Sequence, residues 1–318
     1  MAQITTSQAR VIDPVLTSVA QGYKQLDLVG GFLFPRVNVG VRGGQIITFG
    51  KEDFMLYNTQ RAPGENTRRV QFGYSPSSFA LVDYSIEGAV PTEIQQEAEA
   101  MEAGFTINMA QMAIYKAQAI MALRLEKAQA DLARTLANYG SSNKTTLSST
   151  AQWSDLTSGV SDPINDVEVA KEAIRASTGK RPNVLVMGPA VLAKLRMHPK
   201  IIDRMKYTGR DVPTKEILAA LFGVDQVVVG EGIYSNDAGT AFTDIWGKDV
   251  VLAFTELSGL ADMGTPSYGY TYNLSGYPIA EVPYWDRNAK TQFFPVTRAE
   301  APVIAAATAG YLIKNAVA

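Results

Sequence analysis

From Ile107 to Asn138 the chain reads INMAQMAIYKAQAIMALRLEKAQADLARTLAN, without one glycine or proline. Alanine, leucine, methionine, glutamine and charged helix formers dominate the stretch, which predicts a single helix. At ~1.5 Å per residue it spans about 48 Å. Lys127 and Asp131 are spaced to pair across one turn, and Tyr139-Gly140 ends the run. A strut of this length constrains everything else, because the strands must return to pack beside it.

Upstream the pattern changes to strands. Gln45 to Tyr57 is rich in strand formers, and Arg68 to Phe72 with Phe79 to Ile86 offers the return. Between them lies YNTQRAPGENTRRVQFGY, Tyr57 to Tyr74, with a Pro-Gly turn and Arg61, Arg68 and Arg69. This is the tip of a long hairpin. Roughly fifteen residues a side at ~3.3 Å each reach about 50 Å if extended, and a two-stranded ribbon is marginal alone in water. With Phe54, Met55, Tyr57, Phe72 and Tyr74 along it, the ribbon needs a surface other than its own, and a neighbouring copy can supply one. The residues before it, to about Gly40, form an arm that docks by a few large side chains.

Downstream, the Ser/Thr-rich stretch Ser141 to Ser161 is expected to be a linker and a domain boundary. Asp162-Pro163 then supplies an N-cap and first-turn proline for a helix closed by Gly179. A strand at Asn183 to Met187, helices from Pro189 to His198 and Pro213 to Phe222, and strands at Gln226 to Val229 and Asp249 to Phe254 follow, an α/β alternation. The last segment, SYGYTYNLSGYPIAEVPYWDRNAKTQFFPV, is strand-rich, with Tyr268, Tyr270 and Tyr272 on one face by period two. The class as a whole is α+β.

The 318 residues, 46% apolar and 19% charged, suffice for a core and about two domains. With 29 basic and 31 acidic residues the net charge of -2 gives no general attraction to nucleic acid or an anionic membrane. The absence of cysteine excludes disulfides and thiolate chemistry. No signal peptide is read at the start, and the longest apolar stretch, Ala301 to Ile313, falls short of the ~20 residues a membrane span needs.

Catalytic motifs are weak. His198, the only histidine, ends a helix before Pro199, where a cation can serve the terminal carbonyls. VVVGEGIYS, Val227 to Ser235, imitates a dinucleotide fingerprint but runs on into NDAGT, a turn where the motif needs a helix. Gly50-Lys51 and Gly179-Lys180 lack the rest of a phosphate loop. The expectation is no enzyme, no metal and no cofactor.

Two charged sets are candidate contacts. Arg61, Arg68 and Arg69 at the hairpin tip, with Lys51 and Glu52 on its first strand, suit inter-subunit pairing, arginine forks facing a neighbour's carboxylates; the plain reading is a solvated tip. Lys200, Arg204, Lys206 and Arg210 in KIIDRMKYTGR are first a solvated helix face, and second a contact to acidic groups of another subunit or to nucleic acid.

This order of arm, long hairpin, strut helix, α/β domain and returning strands resembles the major capsid proteins of tailed bacteriophages with the Hong Kong 97-type fold. LFPRV, ITFGKEDF, the RAPG turn, ALRLEKAQADLA, HPKIIDRMKYTGRD, FGVDQVVVGE, SYGYTYNLSGYP and YWDRNAK are similar to segments of that family. The resemblance implies an N-terminal arm over 1–40 and an E-loop hairpin over 41–90. It implies a peripheral domain over 91–160 with its spine helix at 107–138, an axial domain over 161–260, and peripheral return strands over 261–318. Axial domains would meet at the centres of pentamers and hexamers, where Lys200, Arg204, Lys206 and Arg210 are the candidates. It further implies an icosahedral head enclosing double-stranded DNA, assembled in the bacterial cytoplasm with a portal, a separate scaffolding protein and in some cases a decoration protein. Some members crosslink an E-loop lysine to a peripheral asparagine; Lys51 and Asn288 are present here, but no local motif gives them that chemistry. The rival readings are an encapsulin-type nanocompartment shell, which shares the fold, and an α/β enzyme with an unidentified site.

Overall fold

The computed structural model describes residues 28–46, 77–100, 109–205, 213–235, 241–256 and 267–318, together with 59–61, 64, 66 and 69. The described elements begin with a helical turn α1 (Gly30–Leu33), strands β1 (Arg36–Val39), β2 (Gly43–Ile46), β3 (Ser77–Ala80) and β4 (Val82–Pro91), and helices α2 (Thr92–Ala100) and α3 (Met109–Arg134). Next come β5 (Lys144–Thr146), α4 (Pro163–Thr178), β6 (Val184–Met187), α5 (Pro189–Met197), α6 (Pro199–Met205) and α7 (Lys215–Phe222). Strands β7 (Gln226–Val229), β8 (Ile233–Ser235), β9 (Phe242–Asp244), β10 (Val250–Ala253), β11 (Gly269–Leu274), β12 (Ile279–Ala280), β13 (Tyr284–Asp286), β14 (Thr291–Ile304) and β15 (Gly310–Lys314) complete them.

Two sheets lie along α3, as the length of that helix requires. In the first, β14 pairs antiparallel with β4 from Thr291 opposite Pro91 to Glu300 opposite Val82. Its other edge takes β13, β12 and β11 in succession, and β1 joins β11 in parallel. Ile114, Ala117 and Met121 of α3 pack beneath this sheet against Val90, Phe294 and Val296. The approach is close: a Cβ on Gly88 would lie 2.8 Å from the Cβ of Ala113. The second sheet has the order β5-β15-β10-β6-β7. One of its faces meets the C-terminal half of α3 through Ala130 and Ala133, against Val184, Val186, Val251 and Leu312. The other is covered by α4, α5, α6 and α7, with Val167, Ile174, Leu195, Ile201 and Phe222 on Leu185, Met187, Val229 and Leu252. Short β6 and β10 are buried along their whole length, which explains their unbroken apolar sequences.

The long helix stops at Arg134, four residues before its expected end; Thr135 turns extended and Leu136–Asn138 tightens to a 3-10 turn. Carbonyls of the helix end and of the turn that follows are served by cations from the second sheet. Lys144 Nζ reaches the Leu136 and Tyr139 oxygens at 2.9 and 3.0 Å, and Lys314 Nζ the Arg134 oxygen at 3.2 Å. Around Asp162 the local rules hold: its carboxylate accepts from the Asn165 N–H at 3.1 Å, Pro163 opens α4, and Gly179 closes it at φ 69°.

Ser141 to Ser161 is not a spacer. It contributes β5 to the second sheet beside β15, and Trp153 is fully buried with its indole N–H on Asp166 Oδ2 at 2.8 Å. Its serines and threonines are spread over two 3-10 turns, β5 and the bends between, so composition alone misread a packed segment. The tail divides likewise: β11 to β14 return beside the helix, whereas β15 crosses into the second sheet between β10 and β5. Tyr270 and Tyr272 share a cluster, but Tyr268 precedes the strand and enters the other core, beside Phe34 and Tyr139.

Candidate assembly surface

The catalytic candidates resolve into structural roles. His198 is 2% exposed and its Nε2 lies 3.2 Å from Ser161 Oγ. Nδ1 is buried without a hydrogen-bond partner, so no carboxylate orients the ring as a base. Burial, aided by Lys200, lowers its pKa, which disfavours the helix-end cation read from the sequence. Its carbonyl starts α6 by accepting from Ile201 and Ile202. The Gly230-Glu231-Gly232 turn leads into strand β8. Gly230 is there for packing: a Cβ would sit 2.0 Å from Trp246. Among the described residues no group of His, Asp or Glu could hold a metal ion, and no helix is long and apolar enough to cross a membrane.

Two buried carboxylates, missed in the sequence, make the body stiff. Glu126 of α3, 3% exposed, accepts from the Val29 N–H at 3.0 Å, the Gly30 N–H at 2.8 Å and the Trp246 indole N–H at 2.7 Å. Burial raises its pKa against the pull of those donors. Gln129, one turn on, donates to Thr271 Oγ1 at 2.8 Å, so one helix face ties the entering chain to both sheets. Asp249 takes Arg134 Nε at 2.7 Å, Lys314 Nζ at 2.8 Å and the Asn315 N–H at 3.0 Å, pinning the helix end to β10 and β15.

From this body a hairpin departs. β2 and β3 pair antiparallel from Gly43 opposite Ala80 to Ile46 opposite Ser77, and residues 47–76 connect them. Its root is fixed by Phe79 stacked on Tyr272 at 4.3 Å, the Leu81 N–H on the Arg42 carbonyl at 2.8 Å, and Arg42 paired with Asp83. Arg61 and Arg69 are exposed, and Gly64 of the Pro-Gly turn adopts φ 91°. Lys51, Glu52 and Arg68 lie outside the described residues, as do Lys206 and Arg210. Lys200 is engaged within the chain, 3.0 Å from Asp162, while Arg204 is exposed on α6. Asn288 is exposed in the turn between β13 and β14.

Residues 114–294 match the family model of phage major capsid protein E. The major capsid protein of Burkholderia phage BcepMu is 36% identical over 97% of this chain and 98% of its own. The chain belongs to the phage major capsid protein E family. A crystal structure of a phage-related protein from Bordetella bronchiseptica, 40% identical, superposes with a TM-score of 0.81 over 97% of this chain and 99% of that one. At 11% identity the fold alone extends to the capsid of cyanophage P-SCSP1u, with a TM-score of 0.58 over 92% of this chain and 90% of that one. At 12% it extends equally to an encapsulin of Synechococcus elongatus, TM-score 0.50 over 99% of this chain and 92% of that one. The α+β architecture of this capsid protein is thus the Hong Kong 97-type fold, and its near relatives are phage proteins. The capsid reading is preferred over the nanocompartment because the encapsulin likeness is one of fold only.

Proposed function

We propose that this capsid protein builds a closed icosahedral head from pentamers and hexamers, each subunit clasping the next with its hairpin. The observation that carries the reading is the hairpin root: a four-pair ladder held by Phe79 on Tyr272 and Arg42 on Asp83, its two strands joined by residues 47–76. Such a ribbon gains its stabilisation from a partner. In this reading 1–40 is the arm, 41–90 the E-loop, 91–160 with 261–318 the peripheral domain and 161–260 the axial domain. Arg61, Arg68 and Arg69, with Lys51 and Glu52, pair across the subunit boundary. Heterologous contacts of this kind close into rings, and many weak ones add into a shell that still corrects errors during growth. The near-zero charge suits a wall around packaged DNA, since a strongly basic lining would bind the genome tightly. Assembly in the host cytoplasm with a portal and a separate scaffolding protein completes the reading.

Deletion of residues 60–69 tests the clasp. The expected product is a folded subunit, with the far-UV circular dichroism and melting transition of the intact chain's subunit, that sediments without forming shells. Shells of normal diameter from the deleted chain contradict the clasp.

A further inference from the structure

One face of α3 is covered along only half its length. Downstream, Glu126, Ala130 and Ala133 are buried against the entering chain at Val29, Leu33 and Phe34 and against Trp246. Upstream, helical spacing places Met112, Ala119 and Leu123 on that same face, with Ile120 beside them. Met112 is 55% exposed and Ile120 46%. The entering chain gives the face a direction. Val29 meets Glu126, and Phe34 lies further along the helix, in the cluster of Ala133 and Tyr139. From Phe34 back to Val29, the chain therefore approaches the uncovered half.

Residues 1–27 precede that entry, outside the described residues, and their sequence carries a complement. Asp13-Pro14 repeats the Asp162-Pro163 start of α4. From Ile12 onward Leu16, Val19, Tyr23 and Leu26 recur at alternating intervals of four and three, the spacing of one helix face. A helix from Asp13 to Leu26 measures about 20 Å, close to the run of α3 from Met112 to Glu126. Its shortness and Gly22 make it marginal alone in water, so it needs a surface to lie on.

We propose that residues 13–27 fold as a helix on the uncovered half of α3 in the same chain, the two helices running parallel. Leu16, Val19, Tyr23 and Leu26 then lie on Met112, Ala119, Ile120 and Leu123, ridges of one helix in grooves of the other. The occupant is the chain's own arm because Glu126 already anchors its end beside the face, which gives it an effective concentration that a free partner lacks. A neighbour's hairpin matches less well, since its strand formers suit a period of two and α3 presents intervals of three and four. The contact forms in a single subunit and does not depend on shell building. It leaves only the residues before Asp13 for an arm to offer another copy.

Limited proteolysis and crosslinking of the dissociated full-length subunit test it. Met112→Asp with Ile120→Asp, both at exposed positions, is expected to speed trypsin cleavage after Lys24 about tenfold by raising the population of undocked arm, with the melting transition of the body unchanged. For a body that melts early, Leu16→Asp with Val19→Asp leaves α3 intact and is expected to give the same acceleration. The chain has no cysteine, so an introduced pair reports without background. Val19→Cys with Ala119→Cys is expected to oxidise to a disulfide within one chain, and Val19→Cys with Val169→Cys, on α4 across the second sheet, is not. Unchanged cleavage at Lys24 in the folded aspartate variants overturns the contact. So does a disulfide that forms only between two chains, which hands the face to a neighbour's arm, or equal oxidation of both pairs. Both measurements read the single subunit, so a failure to form shells bears on the shell reading alone.

Discussion

Glu126 ties three stretches distant in sequence with one carboxylate, and its removal leaves their donors stranded. In Glu126→Ala the Trp246 indole N–H and the Val29 and Gly30 N–H groups lose their acceptor, at about 1–3 kcal/mol for each buried unsatisfied group. Urea unfolding of the subunit is expected to register a loss of about 3 kcal/mol or more; a loss under 1 kcal/mol contradicts the role. His198 makes a pH prediction. Its folded-state pKa is depressed, so the stability it permits is present above its unfolded value of about 6.5 and is lost as pH falls below that toward the folded value. His198→Gln is expected to flatten the decline in unfolding free energy as pH falls below about 6.5, and an unchanged slope excludes His198 as its source. Glu126 was legible in principle: Ile114, Gln118, Met121, Leu125 and Gln129 trace the buried stripe of α3, and Glu126 lies on it. Charge type suggested solvent, and only helical position could have said otherwise.

Among elements, the long helix, α4 with its cap and the buried strands of the second sheet were plain in the sequence. Each is set by local rules: propensity, a capping aspartate before proline, a closing glycine, a short unbroken apolar run. The exchange of β15 into the second sheet was not legible, because its partners Val250–Ala253 and Lys144–Thr146 are chosen by long-range packing. Ser141 to Ser161 failed for a related reason: one tryptophan anchors it, and composition averages that residue away. Trp153→Ala is therefore expected to destabilise the subunit by about 3–5 kcal/mol, the usual cost of emptying a large buried site. A cost near zero would restore the linker reading.

For the whole molecule, fold and class were legible from the order of segments, whereas the contacts that make a shell were legible only as candidates. Arg61 and Arg69 are exposed, Lys200 is spent on Asp162, and an inter-subunit partner cannot be named from one chain's pattern. The most direct measurement is an electron-microscope reconstruction of particles formed by the full chain. The account predicts a closed shell in which residues 47–76 of each copy lie across its neighbour. A discrete small oligomer, or a shell in which that hairpin folds back on its own subunit, contradicts it.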